Sequence, residues 1–133
     1  MRGTNPNGRN KFEHPHVRLY HWEIDSAAFR DLSAMAVCAL IVISRFHNGS
    51  NNGEIIMSVS MLADRLRCSR NTAHSKLKEL QEHGFIVPTR VGCFAQKNRL
   101  ASTWRLTGRE CNGKKATKEF MGWKPKKNPG SKN

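Results

Sequence analysis

At 133 residues and 38% hydrophobic content, the chain can build one modest core and not two. Its 23 Lys and Arg against 10 Asp and Glu give a formal net charge of +13, which points to a polyanionic partner and leaves DNA, RNA and an anionic membrane surface open. The longest apolar run, Met35–Ile43, is too short for a membrane span, which needs about 20 residues, and Cys38, Cys68, Cys93 and Cys111 show no CxxC or CxxH spacing. The expectation is a soluble, cytoplasmic protein with reduced cysteines and no structural metal or cofactor.

Residues 1–15 (MRGTNPNGRNKFEHP) read as a flexible basic arm, polar rather than leader-like, with Gly, Pro and Asn breaking any period. Residues 16–24 (HVRLYHWEI) alternate at Val17, Leu19 and Trp22 and predict a short extended segment on the body, with Asp25 or Ser26 to cap the helix that follows. That helix is predicted over 26–46. Leu32, Ala36, Ala39, Leu40 and Ile43 form one apolar stripe, and Met35, Cys38 and Val42 a second beside it. So broad an apolar circumference marks either the central helix of the core or a helix whose outer side meets a second subunit. Met35, Cys38 and Val42 are therefore the expected homodimer surface, with HVRLYHW as the competing cover within one chain.

HNGSNNG (47–53) stops this helix, because Gly and Asn tolerate positive φ. Glu54–Met57 reads as a short strand. A second helix, led by Ser58 or Ser60, is predicted to run to about Leu66 with Leu62, Ala63 and Leu66 inward. Arg67-Cys68 is the turn, and Ser69 caps a third helix over about 70–83 with Ala73, Leu77 and Leu80 at i, i+4 and i+7. Gly84 ends it. Phe85–Arg90 predicts a strand that Pro88 pushes to a sheet edge or bulge. Residues 91–99 (VGCFAQKNR) are a loop, and 100–107 (LASTWRLT) a strand with Trp104 and Leu106 on one face. The remainder reads as a disordered, Lys-rich tail from 112 to 133, with seven lysines against one acid, interrupted by Phe120, Met121 and Trp123. Its lysines are expected to add affinity for phosphate without sequence preference. The domain proper is thus bounded at 16–111.

Residues 58–107 resemble the winged helix-turn-helix DNA-binding domains of bacterial transcription regulators such as the MarR and GntR families, and those of plasmid and phage replication initiators. The residues that carry the resemblance are SVSMLADRLRCSRNTAHSKLKELQEHGFIV, a loop, and ASTWRLT. With the preceding helix and NNG turn it covers roughly 75 residues, from about Leu32. One departure is Arg67, where such turns usually carry Gly; a positive φ there would be strained. The resemblance implies an α+β fold of three helices, a small antiparallel sheet and a wing, with flexible basic N- and C-terminal extensions. It also implies a non-enzymatic, nucleoid-associated binder of double-stranded DNA.

The residues support the same expectation. If Ala73, Leu77 and Leu80 face inward, the opposite side of the third helix holds Asn71, Ser75 and Lys78, flanked by Arg70 and His74, with no carboxylate. Arg reads guanine and Asn reads adenine through paired hydrogen bonds in the major groove. Thr72 and the amides at the helix start suit a phosphate. An ordinary solvated polar face is the plainer alternative. In the loop, Lys97 and Arg99, with Gln96 and Asn98, would meet phosphate or the minor groove, or simply solubilise a surface hairpin. His14, His16 and His21 lack a completing ligand for a metal, and no catalytic constellation or phosphate-cradling glycine loop appears. The leading function is transcriptional regulation. A replication or recombination accessory factor of a plasmid, phage or mobile element is the first alternative, and an RNA-binding or protein-interaction winged helix the second. No small-molecule ligand is implied.

Overall fold

A computed structural model of the chain describes residues 14–90 and 102–125. Its elements run α1 (His21–Ile24), α2 (Ala27–Asp31), α3 (Ala34–Arg45), β1 (Ile55–Ile56), α4 (Val59–Leu66), α5 (Arg70–Glu82), β2 (Ile86–Arg90) and β3 (Thr103–Leu106), with a 3-10 turn at Glu119–Gly122. The fold is α+β, with five helices and a three-stranded antiparallel sheet of order β1-β3-β2. None of the described helices is long and apolar enough to cross a membrane.

Serines begin most of the helices. The hydroxyls of Ser26, Ser33, Ser58 and Ser69 accept from the amides of Phe29, Ala36, Met61 and Thr72 at 3.1–3.2 Å, each satisfying an amide that the first turn leaves unpaired. Two sequence expectations are corrected here. The helix predicted over 26–46 is two helices, because Leu32 and Ser33 are extended and Ser33 caps α3. The segment 16–24 is not wholly extended, since His21–Ile24 forms one helical turn in which the Glu23 carboxylate accepts from the Tyr20 amide at 3.1 Å.

The break before α3 is held from a distance. Glu79 of α5 accepts from the Ser33 amide at 2.7 Å and from its hydroxyl at 3.0 Å, and Lys76 lies 3.2 Å from both the Ser33 hydroxyl and the Glu79 carboxylate. Burial alone would raise the Glu79 carboxyl, but the hydrogen bonds from Ser33 and the Lys76 ammonium outweigh it and hold the group below its ordinary range.

The first apolar stripe is core as expected: Leu32, Ala36, Ala39, Leu40 and Ile43 are buried and α3 packs on α4 and α5. Beneath lie Leu62, Ala73, Leu77, Leu80, Ile55, Met57, Ile86, Trp104 and Leu106. The Trp104 indole N–H donates to the Met57 carbonyl at 2.9 Å, so its polar handle is satisfied within the core. Pro88 stands on edge strand β2, opposite Trp104, and the register shifts between Pro88 and Arg90; the missing N–H falls where the ladder loses least. Buried Asn52 donates to the carbonyls of Leu106, Arg109 and Glu110 at 2.9–3.1 Å and accepts from the Leu106 amide at 2.7 Å, tying the loop after α3 to the end of β3.

The expected disorder after residue 111 does not hold for 112–125. The Lys118 amide donates to the Thr107 carbonyl at 2.8 Å. Phe120 is 1% exposed and stacks on Phe85 with ring centroids 4.6 Å apart. Trp22 stacks on the other side of Phe120, and Tyr20 on Trp22. Arg105 pairs with Glu119 at 2.8 Å. Burial would raise the Glu119 carboxyl, but hydrogen bonds from Arg105 and Thr117 hold it lower. The stretch straps the base of the sheet to the C-terminal end of α5.

Candidate nucleic-acid interface

Helices α4 and α5 meet at a tight turn. The Cys68 amide donates to the Ala63 carbonyl at 3.1 Å and the Arg67 amide to the Asp64 carbonyl at 3.3 Å, the paired bonds of a Schellman stop. That stop needs a left-handed residue, and Arg67 takes it at φ 56°, ψ 50°. The strain anticipated at Arg67 is therefore present, at a cost of about 1–2 kcal/mol relative to Gly. In return the turn holds an exposed arginine three residues before Arg70.

From this turn α5 runs 13 residues. Ala73, Leu77 and Leu80 are buried, which rolls Arg70, Asn71, His74, Ser75 and Lys78 outward, and all five are exposed. Among the described residues no side-chain hydrogen bond or ion pair engages these five. Neither acid of α5 stands among them: Glu79 is bound to Ser33 and Lys76, and Glu82 lies in the last turn. The outward face of the first three turns is therefore polar, cationic and free of carboxylates.

Thr72 departs from the sequence expectation. It is half-buried, its amide is taken by the Ser69 cap, and its hydroxyl accepts from Ser69 at 3.0 Å. It shapes the helix start rather than standing ready for a ligand. Arg67 is the residue the sequence reading passed over as a binding group, having treated it only as a turn; its charge beside Arg70 was the available signal. Gln96, Lys97, Asn98 and Arg99 lie outside the described residues.

Met35, Cys38 and Val42 sit together on the outer side of α3. Met35 is 37% exposed, Cys38 is exposed and Val42 half-buried. The segment HVRLYHW does not cover them, for Leu19 lies with Leu40, Phe85 and Leu106 and Trp22 goes to Phe120. Among the described residues no group of three or more His, Cys, Asp or Glu is placed to hold a metal ion.

No protein-family model matches the chain, and neither a curated protein nor a solved structure is found to match it.

Proposed function

We propose that the chain is a winged helix-turn-helix protein that binds double-stranded DNA in a sequence-specific manner, with α5 in the major groove. The observation that carries this reading is the exposed, carboxylate-free face of α5, set at the outer end of the α4–turn–α5 unit. An α-helix fits the major groove, and in this geometry its N-terminal residues meet base edges. Arg70 supplies a guanine reader and Asn71 an adenine reader, while Lys78 and Arg67 supply charge for the flanking phosphates. The helix–strand–helix–helix–strand–strand order and the β1-β3-β2 sheet agree with the arrangement that the resemblance implies. The net charge of +13 favours any polyanion and so does not by itself separate DNA from RNA.

The biological role proposed is transcriptional regulation, since a compact sequence reader is sufficient for it. The deciding experiment is selection of bound sites from a pool of random duplexes, with structured RNA as competitor. A single enriched duplex motif is the expected result. Retention without enrichment, or preferential loss to the RNA competitor, would contradict the proposal.

A further inference from the structure

The outer face of α3 is an open apolar groove of about 650 Å³ lined by Ala34, Met35, Cys38, Ile41, Val42, Arg65 and Leu66. Ile41 is 39% exposed. Apolar side chains gathered on one exposed face mark an association surface rather than the scatter normal on a protein exterior.

We infer that a second copy of this chain occupies the groove, through antiparallel pairing of α3 with its counterpart about a two-fold axis at Cys38. The first support is the stripe's own symmetry. Relative to Cys38, the α3 lining residues stand at −4 (Ala34), −3 (Met35), +3 (Ile41) and +4 (Val42). An isologous interface demands that such a surface complement itself. A two-fold at Cys38 places Met35 against Ile41 of the second copy and Ala34 against its Val42. Small residues then face branched ones, and the thiols meet at the axis, where small side chains let two helices approach closely.

The second support is charge. The α3 segment 34–44 (AMAVCALIVIS) carries no ionisable residue other than Cys38, in a chain of net charge +13. The one charged residue of the lining is Arg65, whose guanidinium lies 4.9 Å from the Phe46 ring centroid. Two copies of so basic a protein repel over most approaches, and this face lets them meet through neutral surface.

The pairing itself does not depend on DNA binding. Its consequence does rest on that reading: none of the outward α5 residues lines the groove, so a pair would present two reading helices, and its target would be an inverted repeat.

The test is sedimentation equilibrium of the full chain without nucleic acid. The expected result is a reversible dimer of twice the 15.1 kDa chain mass. Ile41→Glu and Ala34→Glu, each at an exposed position, are each expected to return it to a monomer with an unchanged helical circular-dichroism spectrum. A variant carrying Cys68→Ser, Cys93→Ser and Cys111→Ser, which keeps Cys38 alone, is expected to form a covalent dimer under mild oxidation. This arm leaves the groove intact and needs no tolerance of a buried charge. A monomer throughout the micromolar range would overturn the inference. So would a dimer that survives both Glu variants with no Cys38 cross-link. A monomer that still selects a duplex motif would sink the pairing and leave the DNA reading standing.

Discussion

The two ends of α5 are built for different tasks. At its C-terminal end nearly every group has a partner. The His83 ring nitrogens lie 2.7 Å from the Asp31 carboxylate and 2.8 Å from the Glu79 carbonyl, and Trp123 stacks on the ring at 4.7 Å. Gly84 follows at φ +82°, where a Cβ would stand 2.8 Å from the Phe120 amide nitrogen. At the N-terminal end the partners stop at the Ser69 cap, and Arg70, Asn71, His74, Ser75 and Lys78 face outward. One helix thus keeps its anchoring and its proposed recognition about four turns apart. A change at one end is expected to leave the other end's property alone.

The largest break in that comparison comes from Phe120→Ala. It removes a ring that fills the space against Phe85 and Trp22, and buried Phe→Ala changes cost about 3–5 kcal/mol. Denaturant unfolding is expected to show that loss, while the folded fraction keeps the parent's sequence preference. Glu79→Ala comes next. It leaves the Ser33 amide and the Lys76 ammonium without their acceptor, a loss of about 1.5–3 kcal/mol for hydrogen bonds to a charged group.

Because the Glu79 carboxyl is held below its ordinary range in the folded chain, its contribution is present above the unfolded pKa of about 4.3. It is lost as pH falls through the lower folded value. Urea midpoints from pH 7 to pH 3 are expected to fall less steeply for the Ala variant than for the parent.

At the other end, Arg70→Ala and Asn71→Ala are each expected to weaken binding to a selected duplex by about 1–3 kcal/mol per lost base contact. Melting temperatures are expected to stay within a degree or two, since both side chains are exposed. The smallest effect falls at the turn. Arg67→Gly relieves the left-handed conformation but frees the unfolded chain, for a net gain below about 1 kcal/mol. It also removes an exposed charge, so affinity for all duplexes is expected to drop slightly and alike.

Local chemistry made much of this architecture legible in the sequence. Ser58 and Ser69 announce their helices because the capping geometry needs nothing beyond the next three residues. The spacing of Ala73, Leu77 and Leu80 orients α5, and Pro88 finds the sheet edge. What the sequence hid depends on partners far along the chain. The apolar period runs straight through Leu32 and Ser33, and the break there is stabilised by Glu79, 46 residues on. Phe120 sits among lysines in a stretch of tail-like composition, and only the cleft beside Phe85 and Trp22 makes it core. Asn52 reads as one more turn residue until its amide meets four backbone groups at the end of β3. In the candidate site the outward face of α5 was legible in full except for Thr72, whose hydroxyl and amide the neighbouring cap engages.

The central claim is that the outward residues of α5 read bases. Its most direct test is site selection from random duplexes, run in parallel for the parent and for Arg70→Ala and Asn71→Ala. The account expects a defined motif from the parent, and from each variant the same motif with the preference relaxed at one position, symmetry-related in both half-sites if the target is an inverted repeat. Identical motifs and affinities from all three folded proteins would contradict it.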